Sequence, residues 1–444
     1  MKNRILNKIG RDRQLLLTIG MTFGVRVITA LGALALNLLL ARKLGAVGVG
    51  LFTLAFSIIV ALGVLARFGM DAAIQRHGSV VISRGNHRHF LDIRRQALTI
   101  ALPMGIGLGL CLYLLRHPLA AVYNKPELAE LMTPMALLLP IMTLVAIQGS
   151  WLRALQKPVF APFFEATGLS LMVGLMIITL ILTRQPITLD ILGWTLPAAS
   201  FALLIIGIFY LRALTRRAFE AAPATSPETP VYSGFYKTLP DFLIINIAMF
   251  LLQWSTPIVL GLFADNAEVG IFATAYRLAS ALSIIMLVFN GVTTARFAEL
   301  YHNHDLPGLR QLVQSSSLYM MLLALPPAAL LVVFPEFVLS FFGKSFQAAA
   351  PLLVIMAAAY FINTVFGSAV QLLTMSGHQR EIRNIVIGTG FFSLTATMLF
   401  SYCWGSTGAA SAFTISLMLQ NFLAVRKVRQ LLGINVMPLL KLKS

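Results

Sequence analysis

Charged side chains are scarce: they make up 11% of 444 residues, and only 16 residues are Asp or Glu. A water-soluble globule carries roughly 25% charged residues, so the chain does not read as a soluble enzyme or a soluble binding domain. Cysteine is almost missing. Cys111 and Cys403 both lie inside apolar runs, which excludes a disulfide framework and a thiolate metal site and makes each a packing residue. Long polar segments between the apolar runs are also missing. The longest candidate outer loops cover about 117–130 and 335–350, too little for an extramembrane catalytic domain. There is no Ser/His/Asp order and no paired-acid motif of the kind metal-dependent glycosyltransferases use. The chain is therefore read as a non-enzyme with no cofactor.

Two stretches imitate chemistry. Gly105-Ile-Gly-Leu-Gly109 has the letters of a nucleotide loop, but no strand precedes it, and small residues four apart in an apolar run serve close helix packing. His77, His87 and His89, with Asp92, make a metal set on paper. They sit among Arg76–Arg95, and a basic loop against anionic headgroups is the simpler reading.

What is abundant is apolar: 58% of residues are hydrophobic and the mean hydropathy is +0.83. A helix needs about 20 apolar residues to cross a bilayer, and the chain offers twelve such runs. Six fall near 15–41, 47–66, 97–115, 131–152, 163–182 and 191–211. Six more fall near 242–263, 271–295, 312–334, 351–375, 385–402 and 408–425. The first is too long for a secretory core and lacks a small-residue cleavage site, so it reads as an uncleaved span. With the N-terminus inside, 26 of the 34 Lys and Arg residues fall on the inner side, 6 on the outer side, and Arg26 and Arg277 within spans. Inner loops are the basic ones, so the even count and the inside placement of both ends support each other. The net charge of +18 thus belongs to a membrane surface and not to nucleic acid.

The chain also repeats itself. Val49-Gly-Leu-Phe-Thr-Leu-Ala55 returns as Val269-Gly-Ile-Phe-Ala-Thr-Ala275, and Gly149-Ser150 with Leu152 and Leu155 returns as Gly367-Ser368 with Leu372 and Met375. Two echoes at nearly one offset mark a duplicated unit. Residues 215–236, with Pro223, Pro227 and Pro230, have linker composition. The expected organisation is a six-helix lobe over 1–214, a cytoplasmic linker over 215–236 and a second six-helix lobe over 237–444. An even span count per half makes them parallel repeats, which commonly hold a substrate at their interface.

Charges inside spans are the informative exceptions, because each costs on the order of 2.5–3.5 kcal/mol and is kept toward a wet interior or a partner. Arg26 lies near the middle of the first span, and Arg277 follows the repeated motif in the eighth. Two guanidiniums across a repeat interface suit a diphosphate, since each presents a planar fork to phosphate oxygens; the alternative is snorkelling, or pairing with an acid such as Glu165 or Asp241. Those two acids are the candidates for ion coupling, against the simpler role of an acid at a helix start, especially for Asp241 after Pro240. Gln148, Gln253, Gln371, Asn37, Asn246 and Asn363 are deep polar residues, available to a sugar or to a neighbouring helix.

Ala41-Arg-Lys-Leu-Gly45 before Val49-Gly-Leu-Phe52, Val269-Gly-Ile-Phe272 with Ala275 and Arg277, Phe341-Phe-Gly343 with Phe346, and Leu373-Thr-Met-Ser-Gly377-His378 together resemble the polysaccharide-transport branch of the MATE-like (MOP) flippase superfamily. Wzx-type O-antigen and exopolysaccharide repeat-unit flippases belong to that branch. The resemblance covers essentially the whole chain. It implies two six-helix lobes around a central cationic cavity in the bacterial inner membrane. It also implies movement of an undecaprenyl-diphosphate-linked oligosaccharide to the outer leaflet, for lipopolysaccharide or exopolysaccharide synthesis, beside polymerase and chain-length proteins. Arg26 and Arg277 match positions where members carry cavity arginines, so a diphosphate-binding role is implied for those two. Against lipid II flippases the chain looks about two spans short. A MATE-type multidrug antiporter would share the fold but needs an acidic cavity, and a polysaccharide polymerase needs a sizeable outer loop.

Overall fold

Gly45 cuts a long helical run in two. At φ 66° and ψ −177° it takes a conformation that costs a residue with a Cβ but not glycine, and the first helix ends there and the second begins. The computed structural model describes residues 32–155, 163–164, 168–220 and 235–436, without the side chains of 292 and 295. Among them nine helices are long and apolar enough to cross a membrane. The breaks at Gly45 and at Trp404-Gly405 each turn one of these into two, and the shorter apolar helix Gly168–Leu182 completes the twelve expected segments. In order after the second they are His87–Leu114, Glu127–Ala154, Gly168–Leu182, Leu189–Glu220, Phe235–Gln253, Asn266–Ser280, Leu306–Val333, Ala350–Phe366 and the two parts of Gln379–Leu432. The seventh continues past Trp254 as Ser255–Phe263, the eighth as Ser283–His302 and the tenth as Ser368–Met375.

Several helices outrun their apolar stretch because local chemistry extends them. The third starts at His87, where the Asn86 side chain accepts from the His89 amide at 3.2 Å. The ninth starts at Leu306, with Asp305 accepting from the Gly308 amide at 2.9 Å. Such caps contribute about 1 kcal/mol. The sixth runs to Glu220, where Arg216 pairs with Glu220 one turn on at 2.7 Å, so it enters the stretch read as linker. Residues 221–234 lie outside the described residues.

The chain divides into two compact units, one of residues 36–273 with 390–409 and one of 1–35, 274–389 and 410–444. In the first, the fourth helix packs on the third and sixth. Added Cβ atoms at Gly105 and Gly109 would meet Pro140 Cα at 3.1 Å and the Ala136 carbonyl at 2.7 Å, so this run is a helix contact as expected. Leu128, Met132, Met135, Leu138 and Leu139 are fully buried there with Leu54. In the second unit Phe297, Leu309, Val313, Leu372, Leu373 and Val428 form a fully buried cluster. Ser317 and Ser368 hydroxyls meet within it at 3.2 Å.

The outer surface of the third helix is apolar. Leu102, Ile106 and Leu110 are exposed four residues apart, with Tyr113 and Leu114 beyond. Cys111 and Cys403 are both exposed as well, which corrects their reading as packing residues. In a bilayer an apolar run can face lipid, so an apolar neighbourhood in sequence does not imply burial.

Two contacts within the first unit join the chain's duplicated halves. A Cβ at Gly50 would strike the Asn266 carbonyl oxygen and come within 2.8 Å of the Gly270 amide, while one at Gly270 would strike the Ala46 carbonyl oxygen and come within 2.9 Å of the Gly50 amide. The two copies of the repeated motif are therefore packed on each other, reciprocally. The second contact is Lys125, 6% exposed, whose Nζ donates to the Gly261 and Ala264 carbonyls at 3.0 and 2.8 Å.

Candidate functional site

The second helix ends at Arg67 because the next two residues leave helical space: Phe68 at φ 43° and Gly69 at φ 76°. Gly69 is required. A Cβ there would meet the backbone of the seventh helix, 2.8 Å from the Leu243 amide. Helical structure resumes at Met70–Ala73 and passes into a π-turn, Ile74–Gly78. Across this break Arg67 Nε donates to Asp71 Oδ2 at 2.8 Å. Ser150 of the fourth helix donates to Asp71 Oδ1 at 3.4 Å, and Gln75 Nε2 donates to the Asp71 main-chain carbonyl at 3.1 Å.

This cluster forms the polar end of a cavity of about 610 Å³ inside the first unit, walled by the second, fourth, fifth, sixth and seventh helices. Arg67, Asp71, Gln75, Ser150 and Arg153 supply its polar side, with Asn246 from the seventh helix. The rest is mostly apolar, including Phe56, Ile59, Leu139 and Trp254, with the hydroxyls of Thr143, Ser170 and Ser200, and Phe56 meets Trp254 edge-on at 6.2 Å. Among the described lining residues there are two guanidiniums and one carboxylate. A cavity with this balance accepts an anion at its polar end and apolar groups beyond.

Arg67 and Arg153 fall where the sequence reading counts loop charges. The available signals were Asp71 four residues after Arg67, and the place of Arg153 three residues after the echoed Gly149-Ser150. Arg26 and Glu165 lie outside the described residues. Asp241 is exposed in the second turn of the seventh helix, after Pro240, and does not line the cavity. Arg277 belongs to the second unit and is half-buried. Its neighbour Tyr276 packs on Tyr360 and Phe413 with ring centroids 6.0 and 5.2 Å away. Among the deep amides, Gln148 donates to the Leu204 carbonyl at 3.1 Å, Gln371 to Thr294 at 2.9 Å, and Asn421 to Asn363 at 2.9 Å, all between helices.

Near the site, His77 in the π-turn stands edge-on to Phe235 at 5.8 Å. Burial, and then the charge of Arg76, holds its imidazole below the usual 6.5. The unfolded chain therefore takes up this proton first as pH falls. Stability from His77 is complete above the unfolded pKa and is lost as pH drops through the lower folded one. His77→Phe is expected to flatten the acid limb of thermal stability below pH 6.5, measured on purified protein; an unchanged limb would contradict this.

The profile of a family described as polysaccharide biosynthesis protein matches residues 15–301. No curated protein sequence matches the chain. Among solved structures it is similar to the lipid II flippase MurJ in an inward closed conformation, with a TM-score of 0.72 and 10% identity, over 92% of this chain and 87% of that one. An inward-facing multidrug resistance MATE family transporter of the MOP superfamily matches with a TM-score of 0.64 and 17% identity, over 91% and 94%. The MATE multidrug transporter DinF-BH matches with a TM-score of 0.63 and 17% identity, over 96% and 97%. The fold is thus the all-α, multi-pass membrane fold of MATE-like proteins.

Proposed function

The chain belongs to the polysaccharide biosynthesis protein family, and from that membership we propose a flippase that carries an undecaprenyl-diphosphate-linked oligosaccharide repeat unit across the bacterial inner membrane. The observation that carries the reading is the cavity lined by Arg67 and Arg153, where Asp71 supplies the one carboxylate among the described lining residues. The arginines would hold the diphosphate, and the prenyl tail would stay in lipid. Arg26 and Arg277 are proposed as further phosphate contacts, and Glu165 and Asp241 as ion-coupling acids. Lobes over 1–214 and 237–444, with both termini in the cytoplasm, would rock about the linker to expose the cavity alternately. An inside-negative potential favours an anion's exit by about 2.3 kcal/mol per charge per 100 mV. The unit delivered outside would feed O-antigen or exopolysaccharide polymerase and chain-length proteins.

The test is the amount and leaflet of lipid-linked oligosaccharide in a strain lacking the protein. Inner-leaflet accumulation relieved by wild type, but not by stably expressed Arg67→Ala or Arg153→Ala, is the expected result, and Arg26→Ala and Arg277→Ala test the two further positions. Unchanged lipid-linked sugar with altered drug efflux would make the protein an antiporter instead. Outer-leaflet accumulation of single units would make it a polymerase.

A further inference from the structure

We propose that Asp71 is a resident counter-anion of the cavity, which competes with the phosphate headgroup for Arg67. The inference rests on the reading of the cavity as an anion site and names how that site is tuned. The Arg67–Asp71 pair is partly buried, with side chains 17% and 25% exposed, so neither charge is left to bulk water alone. Arg67 uses only Nε toward Asp71. Its two terminal nitrogens make no hydrogen bond among the described residues, and Arg67 lines the cavity. Half the guanidinium fork is therefore open to a phosphate, while its charge is offset by the carboxylate.

The position of Asp71 is also costly to produce, which argues against an incidental surface pair. A non-glycine residue, Phe68, is held at φ 43°, a left-handed conformation that a bulky side chain disfavours. Gly69 is pressed on the seventh helix so that no side chain fits. The carboxylate also lies 3.4 Å from the Ser150 hydroxyl of the fourth helix, which shares its proton with the Ala146 carbonyl at 3.2 Å. Three elements thus set where this one negative charge stands. A cavity needing only to grip an anion would be served better without it. One that must also let the anion go gains from a group that retakes the arginine on release, since a headgroup gripped too tightly leaves slowly.

The test is the binding of a twenty-carbon prenyl diphosphate to the purified full-length protein in lipid nanodiscs. Asp71→Asn keeps the shape and the oxygen facing Ser150 but removes the charge. It is expected to bind the probe on the order of tenfold more tightly, because one opposing charge a few ångströms away is gone, and to turn over more slowly in cells. Arg67→Ala should weaken binding, and the double variant Asp71→Asn/Arg67→Ala should match Arg67→Ala alone. Asp71→Ser carries the same expectation if Asp71→Asn does not fold. Unchanged or weaker binding by the Asp71 variants, with Arg67→Ala weakened, would overturn this proposal and leave the flippase reading intact. Wild-type binding that none of Arg67→Ala, Arg153→Ala and Asp71→Asn alters would place the headgroup elsewhere and overturn both.

Discussion

Gly270→Leu is expected to leave little folded protein, and even Gly270→Ala to cost stability measurably, because the atom added at 270 meets backbone. Its nearest neighbour is the Ala46 carbonyl oxygen, with the Gly50 amide 2.9 Å away. No rotamer change relieves such a contact, so the second and eighth helices must part along the whole motif. Overpacking typically costs about 1–3 kcal/mol, and here the lost close approach of two helices adds to it. Gly50→Ala should behave alike, since its Cβ meets the Asn266 carbonyl. The double alanine variant should cost clearly less than the sum, because the first substitution already separates the helices and the second finds the gap. Gly107→Ala is the internal control. Nothing lies within 4 Å of its added Cβ, and alanine is about 1 kcal/mol better than glycine in a helix, so it should be neutral or stabilising. Thermal unfolding of the four purified alanine variants decides the matter. Additive losses at 50 and 270 would mean that the two helices do not share one contact.

That contact shows what can and cannot be read in a membrane sequence. The twelve segments were legible because the bilayer demands about 20 apolar residues per crossing, a constraint no soluble core imposes so uniformly. The repeated Val-Gly-x-Phe motif was legible as a duplication. That its two copies meet was not, since periodicity carries no information on which helix lies beside which. The cavity arginines were hidden for a related reason. A hydropathy window ends a span at the first charge, so Arg67 and Arg153 counted as loop residues, yet they line a cavity that the helices enclose. Asp71 depended on a backbone break at Phe68 and Gly69, which no hydropathy pattern marks. The cysteines failed in the opposite direction, because lipid and protein interior look alike to a hydrophobicity scale.

Lys125→Met is expected to destabilise the protein by about 2–4 kcal/mol, the cost of leaving two buried carbonyls without donors at roughly 1–3 kcal/mol each, less what relaxation recovers. The substitution keeps the apolar stem and removes the ammonium. In the native protein that ammonium closes the end of Ser255–Phe263, where Ala264 is the last capping residue, and a cation there also meets the negative end of the helix dipole. Burial pulls the Lys125 pKa down, and the charges of Asp265 and Glu127 oppose that pull. The desolvation cost is thus only partly offset by charge, and the hydrogen bonds to Gly261 and Ala264 carry the rest of the argument. Asp265→Asn should therefore cost less than Lys125→Met, because it removes a long-range charge and no donor. Hydrogen exchange should localise the damage: in Lys125→Met the amides near 261–265 should exchange faster, while those of the 297–313 cluster stay protected. A Lys125→Met protein with an unshifted unfolding midpoint would mean that these carbonyls are satisfied by water, and the lysine would lose its role as the tie between the 122–127 turn and the end of the seventh helix.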